Sequence, residues 1–279
     1  MRTRAILRSK SGLVGLIAVV VIAVAAVLAP VVARHDPFEQ NLRASLGPAG
    51  RQHWMGTDDL GRDTFARVLF GARVSLMIGA GAVGLGLLVG VPLGLASGYF
   101  GGTFDAVAMR IADLLLAFPR ILMAILIVAV YGVGINSLLV AIAVPDIPIF
   151  ARLARASTLS IIQLDYVAAG RALGASDTRI MARHVLPNLV GPVTVQATFS
   201  VAAAILIAGG LSFLGLGVRP PTPEWGSMLA QARTYMRTAP HLITYPGLAL
   251  AATVLGINLL GDALRQAYDP RFRGRLGGA

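Results

Sequence analysis

The chain has 279 residues, of which 56% are hydrophobic and 13% charged, with 24 basic against 13 acidic residues and no cysteine. Soluble domains carry about 25% charged residues, so this composition predicts a membrane protein, and the missing cysteines exclude disulfides and thiolate metal sites. We interpret the net charge of +11 as a mark of sidedness, because basic residues collect in cytoplasmic loops. Nucleic-acid binding is not predicted, since there is no basic face with interleaved aromatic residues.

Apolar runs predict six spanning helices, at about residues 13–33, 74–99, 104–131, 136–153, 190–214 and 246–264. The basic N-terminus (Arg2, Arg4, Arg8 and Lys10), the basic stretch 154–187 and the arginine-rich tail fall on one side of the membrane, predicted to be the cytoplasm. Residues 34–73 and the proline-rich residues 215–245 fall on the other side. A cleaved signal peptide is the alternative for the first span. Its apolar run is longer than the roughly 7–15 residues of a signal sequence, which favours a retained anchor.

Four glycines of the second span, Gly86, Gly90, Gly94 and Gly98, are spaced four residues apart. This spacing places them on one face of a helix. In a membrane, such a face allows another helix to approach closely. The pattern predicts helix packing.

The third and fourth spans contain charged residues and prolines. Arg110 and Asp113 are three residues apart and could pair on one helical face, either in a gate or subunit contact or as an ion pair near the cytoplasmic interface. Pro119 should kink or break the third span. Asp146 lies between Pro145 and Pro148, which should interrupt the fourth span. This aspartate could line a pathway, or it could cap backbone N–H groups at a structural kink.

The stretch 166–187 is polar and basic, yet lies between apolar runs. A helix of small residues should begin at Tyr166 and end at Gly174. A second helix, capped by Ser176 or Asp177, should reach Val185. Because its side chains are small, the first helix would be thin enough for a groove of another protein to close around it.

Motifs for catalysis are absent from the sequence. The four histidines, His35, His53, His184 and His241, have no metal-binding spacing. There is no nucleophile elbow and no phosphate-binding P-loop. We therefore expect no catalytic residue, no bound metal and no cofactor on this chain.

The stretch 168–187 resembles the coupling loop of inner-membrane subunits of binding-protein-dependent ABC importers. Ala168, Ala169 and Gly170 occupy the positions of the Glu-Ala-Ala family pattern, and Gly174 and Leu186-Pro187 follow at the family spacing. The chain departs from the pattern at Ala168, where the family often has glutamate.

Other motifs are similar to the C-type permeases of the dipeptide, oligopeptide and nickel group. They are Gly56-Thr57-Asp58-Asp59-Leu60-Gly61-Arg62-Asp63, Gly71-Ala72-Arg73-Val74-Ser75-Leu76, Arg110, Asp113, Phe118-Pro119, Leu211-Ser212-Phe213-Leu214-Gly215-Leu216-Gly217, Pro223-Glu224-Trp225-Gly226 and Asp269-Pro270-Arg271. The resemblance extends over essentially the whole chain.

This resemblance implies an all-α membrane protein with the transmembrane-domain fold of type I ABC importers. It would comprise an anchor helix and outer segment in residues 1–73 and a core in residues 74–279. Both termini would be cytoplasmic at the inner membrane. ATPase coupling would fall to Tyr166, Ala168, Ala169, Gly170, Arg171, Ala172, Leu173, Gly174 and Ala175. Arg110, Asp113 and Asp146 would serve a pathway or gate. Pro223, Glu224 and Trp225 would contact a binding protein or, equally, form a packed outer plug.

The implied partners are a B-type permease, two ATPase subunits that hold ATP and Mg²⁺, an extracytoplasmic peptide-binding protein and membrane lipid. Short peptides are the expected substrate, with nickel chelates, haem or glutathione as alternatives. A secondary transporter or channel working alone remains the other hypothesis, although we find no internal repeat.

Overall fold

The computed structural model describes residues 9–268, and their secondary structure is almost entirely helical. The basic residues Arg2, Arg4 and Arg8, the motif Asp269-Pro270-Arg271 and the tail arginines beyond it lie outside the described residues. The helices are α1 (Lys10–Val32), α2 (Thr64–Phe100), α3 (Gly102–Ala117), α4 (Arg120–Tyr131), α5 (Ile135–Ile161), α6 (Asp165–Ala172), α7 (Asp177–Ile180), α8 (Leu186–Phe213), α9 (Trp225–Ala232) and α10 (His241–Tyr268). Short 3₁₀ turns lie at Leu42–Ala44 and Arg233–Tyr235, and a π turn at Met181–Val185 joins α7 to α8.

Five elements of the described chain are long and apolar enough to cross a membrane: α1, α2, α5, α7–α8 taken together, and α10. The predicted third span is broken, because α3 and α4 meet at an angle of 93°. Phe118 has extended backbone and is followed by Pro119, as expected where proline disfavours helix in the preceding residue. The predicted kink is confirmed, and six spans are counted if the bent pair is one.

The glycine face of α2 packs directly on α5. A methyl group built on Gly90 would lie 2.5 Å from the carbonyl oxygen of Ile147, and one on Gly94 would lie closer still to that of Ala151. Only the hydrogen atom of glycine fits at these positions, so the backbones of α2 and α5 are in direct contact. The prediction of helix packing is confirmed, with α5 as the partner.

The predicted interruption of the fourth span is wrong. Helix α5 runs unbroken through Pro145 and Pro148 to Ile161, past the predicted end near residue 153. Both prolines and Asp146 are buried. Prolines are tolerated inside membrane helices that neighbouring helices enclose, and α2 packs against this part of α5 at Gly86 and Gly90.

Helix α2 begins at Thr64 instead of Val74, so the boundary predicted after residue 73 falls inside a helix. Asp63 accepts a hydrogen bond from the backbone N–H of Ala66 at 2.7 Å and caps this helix. The apolar run alone predicted too short a helix, because the first turns of α2 contain the buried Arg67.

The two segments predicted to lie outside the membrane form one layer, here named the outer layer, at the start of α2. Arg67 donates to the carbonyl oxygens of Pro37 at 3.2 Å and Pro221 at 3.3 Å, and pairs with Asp58 at 3.3 Å. One buried guanidinium thus joins residues 34–63 to the segment before α9. Helix α1 packs on α10, where a methyl group on Gly15 would meet the carbonyl oxygen of Gly256 at 2.8 Å. This packing favours the retained anchor.

Candidate functional site: an exposed loop of small residues and its charged neighbours

The first loop helix, α6, ends in a glycine turn. Gly174 has φ of +78°, a backbone conformation that L side chains rarely adopt. The N–H of Gly174 donates to Arg171 O at 2.9 Å, and the N–H of Ala175 donates to Gly170 O at 3.1 Å. These two bonds constitute a Schellman motif. The predicted helix of small residues and its stop at Gly174 are confirmed.

One face of α6 is open and the other is anchored. Most of the predicted docking residues are exposed, among them Ala168, Ala169, Ala172 and Gly174. Leu173 is 89% exposed at the tip of the turn. Exposure of a leucine to that extent, just after a helix whose exposed residues are mostly small, leaves one apolar side chain projecting from the protein.

The anchored side of the loop is apolar. Val167, Ile180 and Val185 are fully buried and form a cluster with Ala154 and Leu189. These contacts fix the loop to the ends of α5 and α8. The exposed face of α6 is therefore held in place by this buried cluster, and it would move together with α5 and α8.

The second half of the loop continues directly into α8. Ser176 caps α7 by accepting from the N–H of Arg179 at 3.4 Å, as predicted. The N–H of Leu186 donates to Met181 O, five residues back, which defines the π turn. This wider turn accommodates Pro187 near the start of α8, so the element from Asp177 to Phe213 has no break.

Tyr99, near the C-terminal end of α2, connects both loop helices. Its hydroxyl donates to Oδ1 of Asp177 at 2.6 Å, and the guanidinium of Arg171 lies 5.3 Å from its ring centre. Tyr166 faces inward in part, since its hydroxyl accepts from Asn188 at 3.1 Å. Sequence reasoning missed Tyr99, because nothing local links it to residues so far along the chain.

The predicted pair of Arg110 and Asp113 is wrong. Asp113 forms its ion pair with Arg152 of α5, and both side chains are about half exposed. Arg110 is exposed and has no ion pair or hydrogen bond within residues 9–268. The helix α5 extends far enough to bring Arg152 alongside α3, so a partner from another helix replaces the local one.

Asp146 is fully buried and pairs with Arg120, the first residue of α4, whose side chain is 34% exposed. Oδ2 of Asp146 and Nε of Arg120 have no further hydrogen bond among the described residues. Asp146 does not cap a broken helix. It holds the bent pair α3–α4 against α5.

A third ion pair also joins α3 to α5. Arg155 donates to both carboxylate oxygens of Asp105, with Nε and Nη2 at 2.5 Å and 2.6 Å, and Ser97 also donates to Asp105. Such a bidentate pair fixes the relative orientation of the two side chains as well as their distance. Sequence reasoning missed it, because Arg155 was assigned to the loop when it belongs to α5.

Pro223, Glu224 and Trp225 are buried. Glu224 caps α9 by accepting from the N–H groups of Gly226 at 2.8 Å and Ser227 at 2.9 Å, and the indole N–H of Trp225 donates to Val68 O at 3.0 Å. These contacts support the interpretation as a packed plug. A direct contact of these three side chains with a binding protein is not supported, because they face the interior.

Comparison with known proteins agrees with this architecture. Residues 90–274 match the family described as binding-protein-dependent transport system inner membrane component, and residues 3–48 match the N-terminal TM domain of oligopeptide transport permease C. The membrane domain of the MetNI methionine ABC transporter, in inward-facing conformations, superposes with a TM-score of 0.59 at 18% identity, covering 73% of this chain and 96% of that one. This likeness shows the fold.

Curated relatives are more similar in sequence. The dipeptide transport system permease protein DppC of Alkalihalophilus pseudofirmus is 42% identical over 95% of this chain and 88% of its own length. The glutathione transport system permease protein GsiD of Pectobacterium atrosepticum is 48% identical over 83% of this chain and 76% of its own. GsiD of Escherichia coli is 49% identical over 80% and 74%. With matching domains at both ends and relatives along most of its length, this multi-pass chain belongs to the ABC importer permeases, as a C-type subunit of the binding-protein-dependent family.

Proposed function

We propose that this chain forms one half of the pathway of an ATP-driven importer of short peptides. It receives movement from ATPase subunits through α6. The observation that carries the proposal is the exposed helix of small residues that ends in the Gly174 turn, with Leu173 89% exposed at its tip. In this importer family the energy source lies on another chain, so a docking surface of this kind is what a permease needs. ATP and Mg²⁺ would bind to the ATPases.

The loop is built to transmit movement. Its buried side chains Val167, Ile180 and Val185 join it to α5 and α8, and Tyr99 joins it to α2. A displacement of α6 would therefore be shared by three spanning elements. The full assembly would add a B-type permease, two ATPases and an extracytoplasmic peptide-binding protein, with both termini of this chain in the cytoplasm of the cell.

A cavity of about 600 Å³ lies between α5, α8 and α10, beside the loop. Its lining includes Asn188, Gln196 and Arg265 together with Phe199. This mixture of amide, cationic and aromatic groups suits a short peptide, which has a carboxylate, amides and side chains. We assign this cavity to the inner end of the pathway.

Short peptides are the favoured substrates because the relatives are a dipeptide permease and glutathione permeases, and glutathione is itself a tripeptide. Nickel chelates and haem are the alternatives. The test is uptake by the complete complex in proteoliposomes with its binding protein, offered a dipeptide, glutathione, a nickel chelate or haem. Uptake of a peptide supports the proposal, and uptake of a chelate or haem alone overturns the substrate class.

The docking assignment has a separate test. Leu173→Glu places a charge at this exposed side chain and leaves the buried residues of the loop unchanged. We expect it to prevent co-purification of the ATPases while the chain remains in the membrane. Leu42→Glu is the matched control, because Leu42 is 70% exposed in the 3₁₀ turn of the outer layer, away from the loop. Normal ATPase binding by Leu173→Glu would refute docking at α6.

A transporter that works alone would need no such loop. Purified chain without the other subunits should therefore move no peptide into vesicles. Uptake by the isolated chain would favour the stand-alone hypothesis instead.

A further inference from the structure

Three side chains from separate parts of the outer layer meet at one point. Nδ1 of His53 lies 2.8 Å from Oδ2 of Asp63, and Nδ1 of His35 lies 3.5 Å from the same oxygen. The two imidazole rings are 4.7 Å apart between centroids. All three ligand atoms lie within 4.8 Å of one another. Sequence reasoning missed this cluster, because its histidines do not form a short-spaced motif.

The carboxylate is held in place by other bonds. Oδ1 of Asp63 caps α2 at Ala66, which leaves Oδ2 directed at the histidines, and the residue is only 4% exposed. The backbone of His53 is fixed as well, because its carbonyl oxygen accepts from the N–H groups of Gly50 at 2.8 Å and Gly56 at 3.0 Å. Two of the three groups are therefore preorganised.

Hydrogen bonding alone satisfies the cluster poorly. His53 forms a bond of normal length to Oδ2, but the contact of His35 at 3.5 Å is not a hydrogen bond. Two imidazole nitrogens thus face one oxygen, and only one of them is bonded to it. A cation between them would be coordinated by all three atoms.

The surrounding cavity has room and additional ligands. It measures about 150 Å³ and is lined, beside the three groups, by Asp36, Glu39, Asn41 and Gln52. His35 and His53 are partly exposed, with side-chain exposures of 33% and 20%, so an ion can enter from solvent. A nearby carboxylate or a water molecule can supply the fourth ligand.

We propose that His35, His53 and Asp63 bind a zinc ion in the outer layer. Two imidazole nitrogens and one carboxylate oxygen form a donor set that Zn²⁺ prefers, and a fourth position completes a tetrahedron. Bound there, the ion joins the chain just after α1 to the last residue before α2. It would therefore fasten the anchor helix to the core.

The experiment measures Zn²⁺ binding to the full chain within its complex, purified through a tag that contains no histidine. Competition with a fluorescent zinc chelator at neutral pH gives the stoichiometry and affinity. The variants are His35→Asn and Asp63→Asn. The second variant should still cap α2, since asparagine is as good a helix cap as aspartate. His241→Asn is the control, because this imidazole is in the same outer layer but lies outside the cluster.

We expect one Zn²⁺ per wild-type chain and per His241→Asn chain. Each of the other two variants should weaken binding by at least about tenfold, the size of loss that follows from disturbing a metal site. Zinc should also raise the thermal unfolding temperature of the wild type but not of Asp63→Asn. The proposal fails if the wild type binds no zinc, or if His35→Asn and Asp63→Asn bind it as tightly as His241→Asn does.

Discussion

Arg120, the first residue of α4, forms an ion pair with Asp146, which is fully buried in the middle of α5. The partners differ in their surroundings, since the arginine side chain is 34% exposed and the carboxylate not at all. This asymmetry decides what each substitution costs.

Arg120→Gln should be more destabilising than Asp146→Asn. Removing the arginine leaves a buried carboxylate without its counter-charge, which costs about 3–5 kcal/mol. Removing the carboxylate leaves an arginine that is only partly buried. Thermal unfolding in detergent measures both. The double variant Arg120→Gln/Asp146→Asn should be more stable than Arg120→Gln alone, and strictly additive losses would contradict the pairing.

Gly94→Ala should separate α2 from α5. The added methyl group would overlap the carbonyl oxygen of Ala151, a backbone atom that cannot move alone. We expect a loss of about 1–3 kcal/mol in the free energy of unfolding, as for other overpacked interiors. Gly84→Ala is the matched control on the same helix, because no atom lies within 4 Å of its added methyl group. Equal stability of the two variants would show that the close approach is not needed.

Gly174→Asp should leave the protein in the membrane and abolish transport. The added Cβ meets no atom of this chain within 4 Å, so any obstruction would arise in the partner's groove. Backbone strain at φ of +78° costs about 1–2 kcal/mol. Gly215→Asp controls for this strain, since Gly215 has φ of +80°, follows α8 with the same pair of backbone hydrogen bonds and has equally open surroundings. Full uptake by Gly174→Asp, or equal loss in both variants, would count against coupling at α6.

Trp225→Phe should destabilise the outer layer by about 2 kcal/mol, because it removes the bond from the indole N–H to Val68 and leaves a gap beside Gly71. Trp54→Phe is the control, since Trp54 is the other tryptophan of the chain and is 47% exposed. Its contact with the guanidinium of Arg34, 4.2 Å from the ring centre, is worth about 0.5–1 kcal/mol. The two unfolding temperatures give the comparison, and a larger loss in Trp54→Phe would argue against the plug.

Features that depend on local spacing could be predicted from the sequence. The glycine face of α2 and the two loop helices follow from repeats and caps within a few residues of one another, and the turn at Gly174 follows from one residue type. The likeness to importer permeases rested on such short motifs, and it was confirmed.

Features that depend on distant residues could not be predicted. Asp113 was assigned to Arg110, because three residues of separation suggested a pair, but the fold supplies Arg152 from α5. The two prolines of α5 suggested a break, but both are buried in a helix that continues past them to Ile161. The meeting of His35, His53 and Asp63 likewise depends on how the outer segment folds back onto the start of α2.

The π turn at Met181–Val185 has a mechanical consequence. Because the helix continues through Pro187 without a break, residues 177–213 form one helical element of 37 residues, about 55 Å long at ~1.5 Å per residue. An element that continues through the membrane surface would transmit a push at the loop along its length, and Pro192 is the point inside α8 where it can bend. The far end of the element would then move beside α9, so a small displacement of the loop would reach the opposite side of the bilayer.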